Sequence, residues 1–346
     1  MIHRREVVAL GLRAIGASVL GGTALGGVAC GAAPPAPAPP KLPPLKVDDL
    51  AGLVTAAGLS WIVLVKPRTI AQIAWLIPEI ALFAPEKNLD VFEREVGVDL
   101  RAIPEAVVAR FDDSLGGADL QLTRHGSDAE ACERLFRKRI TKQPVRAEDR
   151  PDVVRVSGDV GATPHAFARI GGDVLAYQEG GDVAKGPVRI ATLYAQEKLK
   201  KTPRALDAEP LKSLRARFGD APCIGLAVGP FDDDWKKAAN GLLEAATGVG
   251  AALRPTAREN IGFALAIAGD FHDSADAASA TLMDAWDAFT ATEMGKVLGL
   301  DHPVSAPIPS HLSDVVALSV EVEPRRFAEG LHALVMQDLD ELMKLE

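Results

Sequence analysis

Twice in this chain a strand-like run ends in a histidine-bearing turn that opens a helix starting with small and acidic residues. ADLQLTR (118–124) leads into HGSDAEACERLF (125–136), and IGFALAIAG (261–269) leads into HDSADAASATLM (272–283). A repeated order of elements constrains a fold strongly, because each copy must bury the same kind of unit against its neighbours. The reading that follows is two similar halves, 47–203 and 204–346.

The runs around these pairs set the fold class. WIVLVK (61–66) is short, apolar and β-branched, and in the following TIAQIAWLIPEIALF the spacing of Ile70, Ile73, Ile77 and Ile80 predicts a helix kinked at Pro78. VVARF and ADLQLTR flank the turn residues DDSLGG as a hairpin, and DVVRVSGD, PHAFARI and DVLAYQEGG read as three further strands. His125-Gly126-Ser127 is expected to cap the helix holding Cys132. In the second half PCIGLAVGP is a strand, GVGAALRPT and IGFALAIAG form a hairpin, and DVVALSVEVEP precedes an amphipathic helix, RRFAEGLHALVMQDLDELM. Hairpin-joined strands imply antiparallel or mixed sheets with helices packed on one face, an α+β fold rather than a doubly wound one.

The first thirty residues are an address. Arg4, Arg5 and Arg13 are basic, and residues 14–29 carry no charge but are too few and too glycine-rich to span a bilayer core, which needs about 20 apolar residues. Gly27-Val28-Ala29-Cys30 resembles the lipobox of bacterial lipoproteins, with Gly27 where that family prefers Leu. The resemblance implies cleavage after residue 29, lipid on Cys30 and anchoring in a membrane of the cell envelope. Gly31 in place of Asp implies sorting to the outer membrane. Residues 30–46 then read as a Pro/Ala tether, extended at ~3.1 Å per residue. Arg4-Arg5 followed by Val7-Val8 resembles part of a twin-arginine export signal, and general secretory export is the other route.

Three arginines and one glutamate leave with residues 1–29, so the remainder is more acidic than the whole chain, whose net charge is −9. Nucleic-acid binders carry a basic patch, so no nucleic-acid partner is expected. Aromatic content of 5% argues against a surface that stacks sugars or bases, and 48% hydrophobic residues exclude wholesale disorder. Cys132 and Cys223 both occupy apolar faces, and an oxidising envelope leaves a disulfide between them open.

The chain has no phosphate-binding glycine loop, no H-E-x-x-H, no G-x-S-x-G and no C-x-x-C, so no cofactor or metal is expected. His272, flanked by Asp270 and Asp273, has the composition of a carboxylate-oriented imidazole, although a turn capping a helix uses the same residues. His302 and His311 bracket a Pro-rich loop, and Asp232-Asp233-Asp234 reads as a helix cap. The leading expectation is a lipid-anchored envelope module that binds a ligand or a protein partner. An exported hydrolase assembled from scattered His and Asp residues is the competing one, and a purely structural scaffold the third.

Overall fold

The computed structural model describes residues 43–112, 117–231, 240–271, 274–312 and 314–343. Arg4, Arg5, Cys30, Asp232–Asp234, His272 and Asp273 lie outside them.

Apolar alternation along the first half produces a three-strand meander of β1 (Leu59–Val65), β2 (Glu105–Phe111) and β3 (Asp119–Arg124). Helix α4 (Ala129–Arg139) then carries the chain to the sheet edge, where β4 (Lys142–Arg150) begins a second meander. It returns through β5 (Val153–Val160), β6 (Thr163–Ile170) and β7 (Val174–Glu179), and β7 pairs with β3. Three helices, α1 (Pro67–Ala71), α2 (Ile77–Phe83) and α3 (Glu86–Val96), are inserted between β1 and β2.

The second half follows the same course. A meander of β8 (Cys223–Val228), β9 (Ala246–Pro255) and β10 (Ile261–Gly269) leads into α7 (Ala275–Thr290) and α8 (Glu293–Val297). The edge strand β11 (Ile308–Leu312) follows, and β12 (Val315–Val322) comes back to pair with β10. Helices α5 (Pro187–Ala195) and α6 (Leu211–Phe218) link the halves, and α9 (Pro324–Met343) ends the chain. The strand-turn-helix units seen in the sequence are therefore equivalent in topology. The fold is α+β, with one twelve-stranded antiparallel sheet in the order β11-β12-β10-β9-β8-β1-β2-β3-β7-β6-β5-β4. The two halves meet at β1 and β8, from Trp61 opposite Ala227 to Val65 opposite Cys223.

Both faces of the sheet are covered. On one face the inward residues Ile62, Val107, Ala168, Leu226 and Ala266 share a continuous core with Leu45–Val54, α5 and α6. On the other, α4 packs Cys132 and Phe136 against Val156, Phe167 and Leu175, and α7 packs Leu282 and Trp286 against Ile267, Val316 and Leu318. Local chemistry sets each helix in place. The N-cap of α4 is Asp128, whose Oδ1 accepts from the N–H groups of Glu130 (2.8 Å) and Ala131 (3.2 Å). Ser127, the expected cap, instead donates its N–H to His125 Nδ1. Glu133 of α4 is buried between Arg146 Nε (2.8 Å) and Arg169 Nε (2.9 Å), which ties the helix to β4 and β6. Gln178 on β7 is fully buried and accepts the N–H of Val188 in the first turn of α5.

The two sheet edges differ from the interior. Strand β4, KQPVRAEDR, is charged and contains Pro144, while β11 is five residues long, wholly exposed and contains Pro309. Helix α6 approaches the sheet closely because β9 offers glycine there. A Cβ on Gly250 would stand 2.5 Å from Phe218 Cε2 and 2.8 Å from Leu226 Cδ2. Gly250→Ala is expected to cost about 1–3 kcal/mol by overpacking. Gly126→Ala, with open space around the added methyl, should stay within about 0.5 kcal/mol of the parent. Denaturant unfolding of both variants checks this.

Candidate functional site

Among the described residues, the side chains singled out in the sequence do not converge, and His272 and Asp273 lie outside them. Asp270 is exposed at the end of β10. His311 lies on the edge strand β11, where its Nε2 pairs with Asp276 Oδ1 at 3.0 Å, and Asp276 is fully solvent-exposed. His302 pairs with its neighbour Asp301 at 2.8 Å beside a polar depression between α8 and α9. Exposed pairs of this kind are screened by water and have little capacity to activate a nucleophile. Among the described residues no group of three or more His, Cys, Asp or Glu side chains could hold a metal ion.

The disulfide left open by the sequence is not formed, and both cysteines are free. Cys132 packs under α4 with Phe136 and Val98, and its Sγ reaches the Gly97 carbonyl at 3.4 Å. Cys223 opens β8 in another part of the structure. Burial pushes both thiols up, with Asp128 adding to the effect at Cys132, so neither is a ready thiolate.

The feature the sequence reading missed is a cavity of about 220 Å³ at the sheet rim where β8 starts and β9 ends. Its floor is Cys223, Leu253 and Ile261 from the strands, with Pro222 and Pro255 beside them. One wall is the segment after β1, contributing Ile70, Ile73, Leu76, Ile80 and Phe83, and the opposite wall is α9 with Phe327, Ala328 and Leu331. Glu79 and Arg254 are the charged members of the lining. An apolar cavity of ~150 Å³ already stays dry and accepts a ligand of benzene size, so this one has room for a larger apolar group. With so few polar atoms it can recognise shape and hydrophobicity, and it offers no constellation for bond-breaking chemistry. The helical spacing of Ile70, Ile73, Ile77 and Ile80 was legible in the sequence, but α1, α2 and the short 3-10 turn between them hold no buried residue. They wall the cavity, and Trp75 and Leu76 of the turn also pack against the core under α7.

A second unforeseen group is His165 on β6, whose Nδ1 lies 2.6 Å from the Tyr177 hydroxyl of β7. Burial, together with the charge of Arg139, pushes His165 down to about 4, and burial pushes Tyr177 up to about 12. Both groups are therefore neutral near pH 7, and the pair is a packed polar contact against Phe136 and Phe167. His125 is likewise buried and lowered by desolvation. Between pH 6.5 and about 4 the unfolded chain takes up a proton that the folded His165 refuses. The stability that His165 contributes as a neutral group is thus complete above pH 6.5 and is lost progressively as pH falls toward 4. Thermal unfolding over this range should show that slope, and His165→Asn, whose amide stands near the Nδ1 position and does not titrate, should reduce it.

No protein-family model matches the sequence. No curated protein matches it either. Among solved structures the chain is similar to three crystal forms of TP0453. Form III is 10% identical over 83% of this chain and 99% of that one, with a TM-score of 0.47. Form I is 10% identical over 84% and 99% with a TM-score of 0.45, and form IV is 9% identical over 84% and 97% with a TM-score of 0.48. These are likenesses of outline only, and function has to be read from the residues of this chain.

Proposed function

We propose that this protein is a lipid-anchored component of the bacterial cell envelope, sorted to the outer membrane, whose α+β module binds an apolar ligand in the cavity between α2 and α9. The observation that carries the binding role is the cavity itself, about 220 Å³ of space walled by Ile, Leu, Phe and Pro side chains. Its chemistry matches a stretch of acyl chain or another hydrocarbon group, with Arg254 and Glu79 able to meet a polar end. The anchoring role is supported by Cys30 behind small residues, the Pro/Ala tether that follows, and the basic, then uncharged, start of the chain. Among the described residues no helix is long and apolar enough to cross a membrane, so attachment through lipid would be the means of retention.

Two measurements test the two parts. A fluorescent fatty acid should bind the parent protein in vesicle-free buffer, and Ala328→Phe, which fills the cavity from α9, should weaken that binding by roughly tenfold or more. Equal affinity in the two proteins would remove the cavity as the site. The intact mass of the protein recovered from the membrane fraction should begin at Cys30 with added acyl mass, and Cys30→Ala should lose both that mass and membrane retention.

A further inference from the structure

Within the segment that walls the cavity, the exposed residues of α2 are apolar as well: Ile77, Pro78, Ala81 and Phe83. Ile73, Leu76 and Ile80 face the cavity, while Ile77 is 52% exposed and Phe83, at the cavity mouth, is 43% exposed. An apolar helix surface left without a protein neighbour is suited to lipid, and no residue of α1 or α2 is buried.

The position of this segment on the sheet says what covers it. The strand registers place Val65, Cys223 and Leu253 beside the cavity on the same rim as Glu105, Arg124, Val174, Ile170, Val153 and Arg150. The described chain starts on that rim, where the Pro43 carbonyl accepts from Arg150 Nη2 at 2.8 Å and the Leu45 N–H donates to Asp152 at 2.8 Å. From β4 to β8 there are seven strand steps, or ~34 Å along the rim at ~4.8 Å each. Thirteen residues, 30–42, separate Cys30 from Pro43, a chain length that at ~3.1 Å per residue could span ~40 Å. A lipid held at Cys30 therefore keeps this rim, cavity mouth included, within reach of the bilayer surface.

We infer that the rim bearing α1 and α2 docks on a lipid bilayer, with Ile77 and Phe83 entering the acyl region and the cavity mouth opening toward it. The inference rests on the anchored reading for its geometry but not on ligand binding, which the fatty-acid measurement in vesicle-free buffer reports separately. The test is amide hydrogen exchange of the full chain with and without vesicles of phosphatidylethanolamine and phosphatidylglycerol. Exchange across residues 70–84 should slow by roughly tenfold with vesicles. The double variant Ile77→Asp/Phe83→Asp should lose that slowing even while the tether holds it on the membrane. Phe289→Asp, at an exposed apolar position on α7, should keep it. Unchanged exchange with vesicles, or equal slowing in the double variant, would overturn the inference. Slowing that appears without vesicles as protein concentration rises would also overturn it, because a second copy would then be the cover.

Discussion

Everything in this structure depends on the ladder between β1 and β8. Five residue pairs, from Trp61 opposite Ala227 to Val65 opposite Cys223, join two meanders that would otherwise each end in a bare edge. Because the two strands are antiparallel, the halves are related as two copies facing each other, and their helices α4 and α7 fall on the same face. The opposite face carries a core that runs from Leu45 through both halves to Ala317. The halves therefore share one cooperative interior, although each repeats the other's course.

Much of this was legible in the chain. IGFALAIAG and GVGAALRPT form β10 and β9 because alternation and length favour strands, and the repeated strand-turn-helix units occupy equivalent places in the two halves. What the sequence could not convey was which element covers which. The β1–β8 pairing joins residues more than 150 positions apart, and no local pattern specifies a contact of that range. The isoleucine spacing after β1 identified an apolar helical face, but periodicity does not say whether such a face meets a core, a cavity or lipid.

The same distinction applies to the sites. His272 attracted attention through its acidic neighbours, a feature that helix caps also produce. His165 carried no such signal, yet Phe167 stands opposite Tyr177 in the β6–β7 register, which leaves His165 diagonal to the tyrosine two residues along. Reading the hairpin register of PHAFARI and DVLAYQEGG, and not only its strands, would have found that pair. The cavity had no comparable signature, since its lining comes from five separate stretches of chain that meet only in the fold.

An open sheet of twelve strands has two ends, and each exposes backbone groups that could pair with another molecule. At one end β4 presents Lys142, Arg146, Glu148 and Arg150 and is interrupted at Pro144. At the other β11 is short, and Pro309 lacks a donor. Copies crowded side by side would meet mismatched charge and missing N–H groups where a thirteenth strand would need a complete ladder. The sheet's width is thus limited by the chemistry of its two outermost strands.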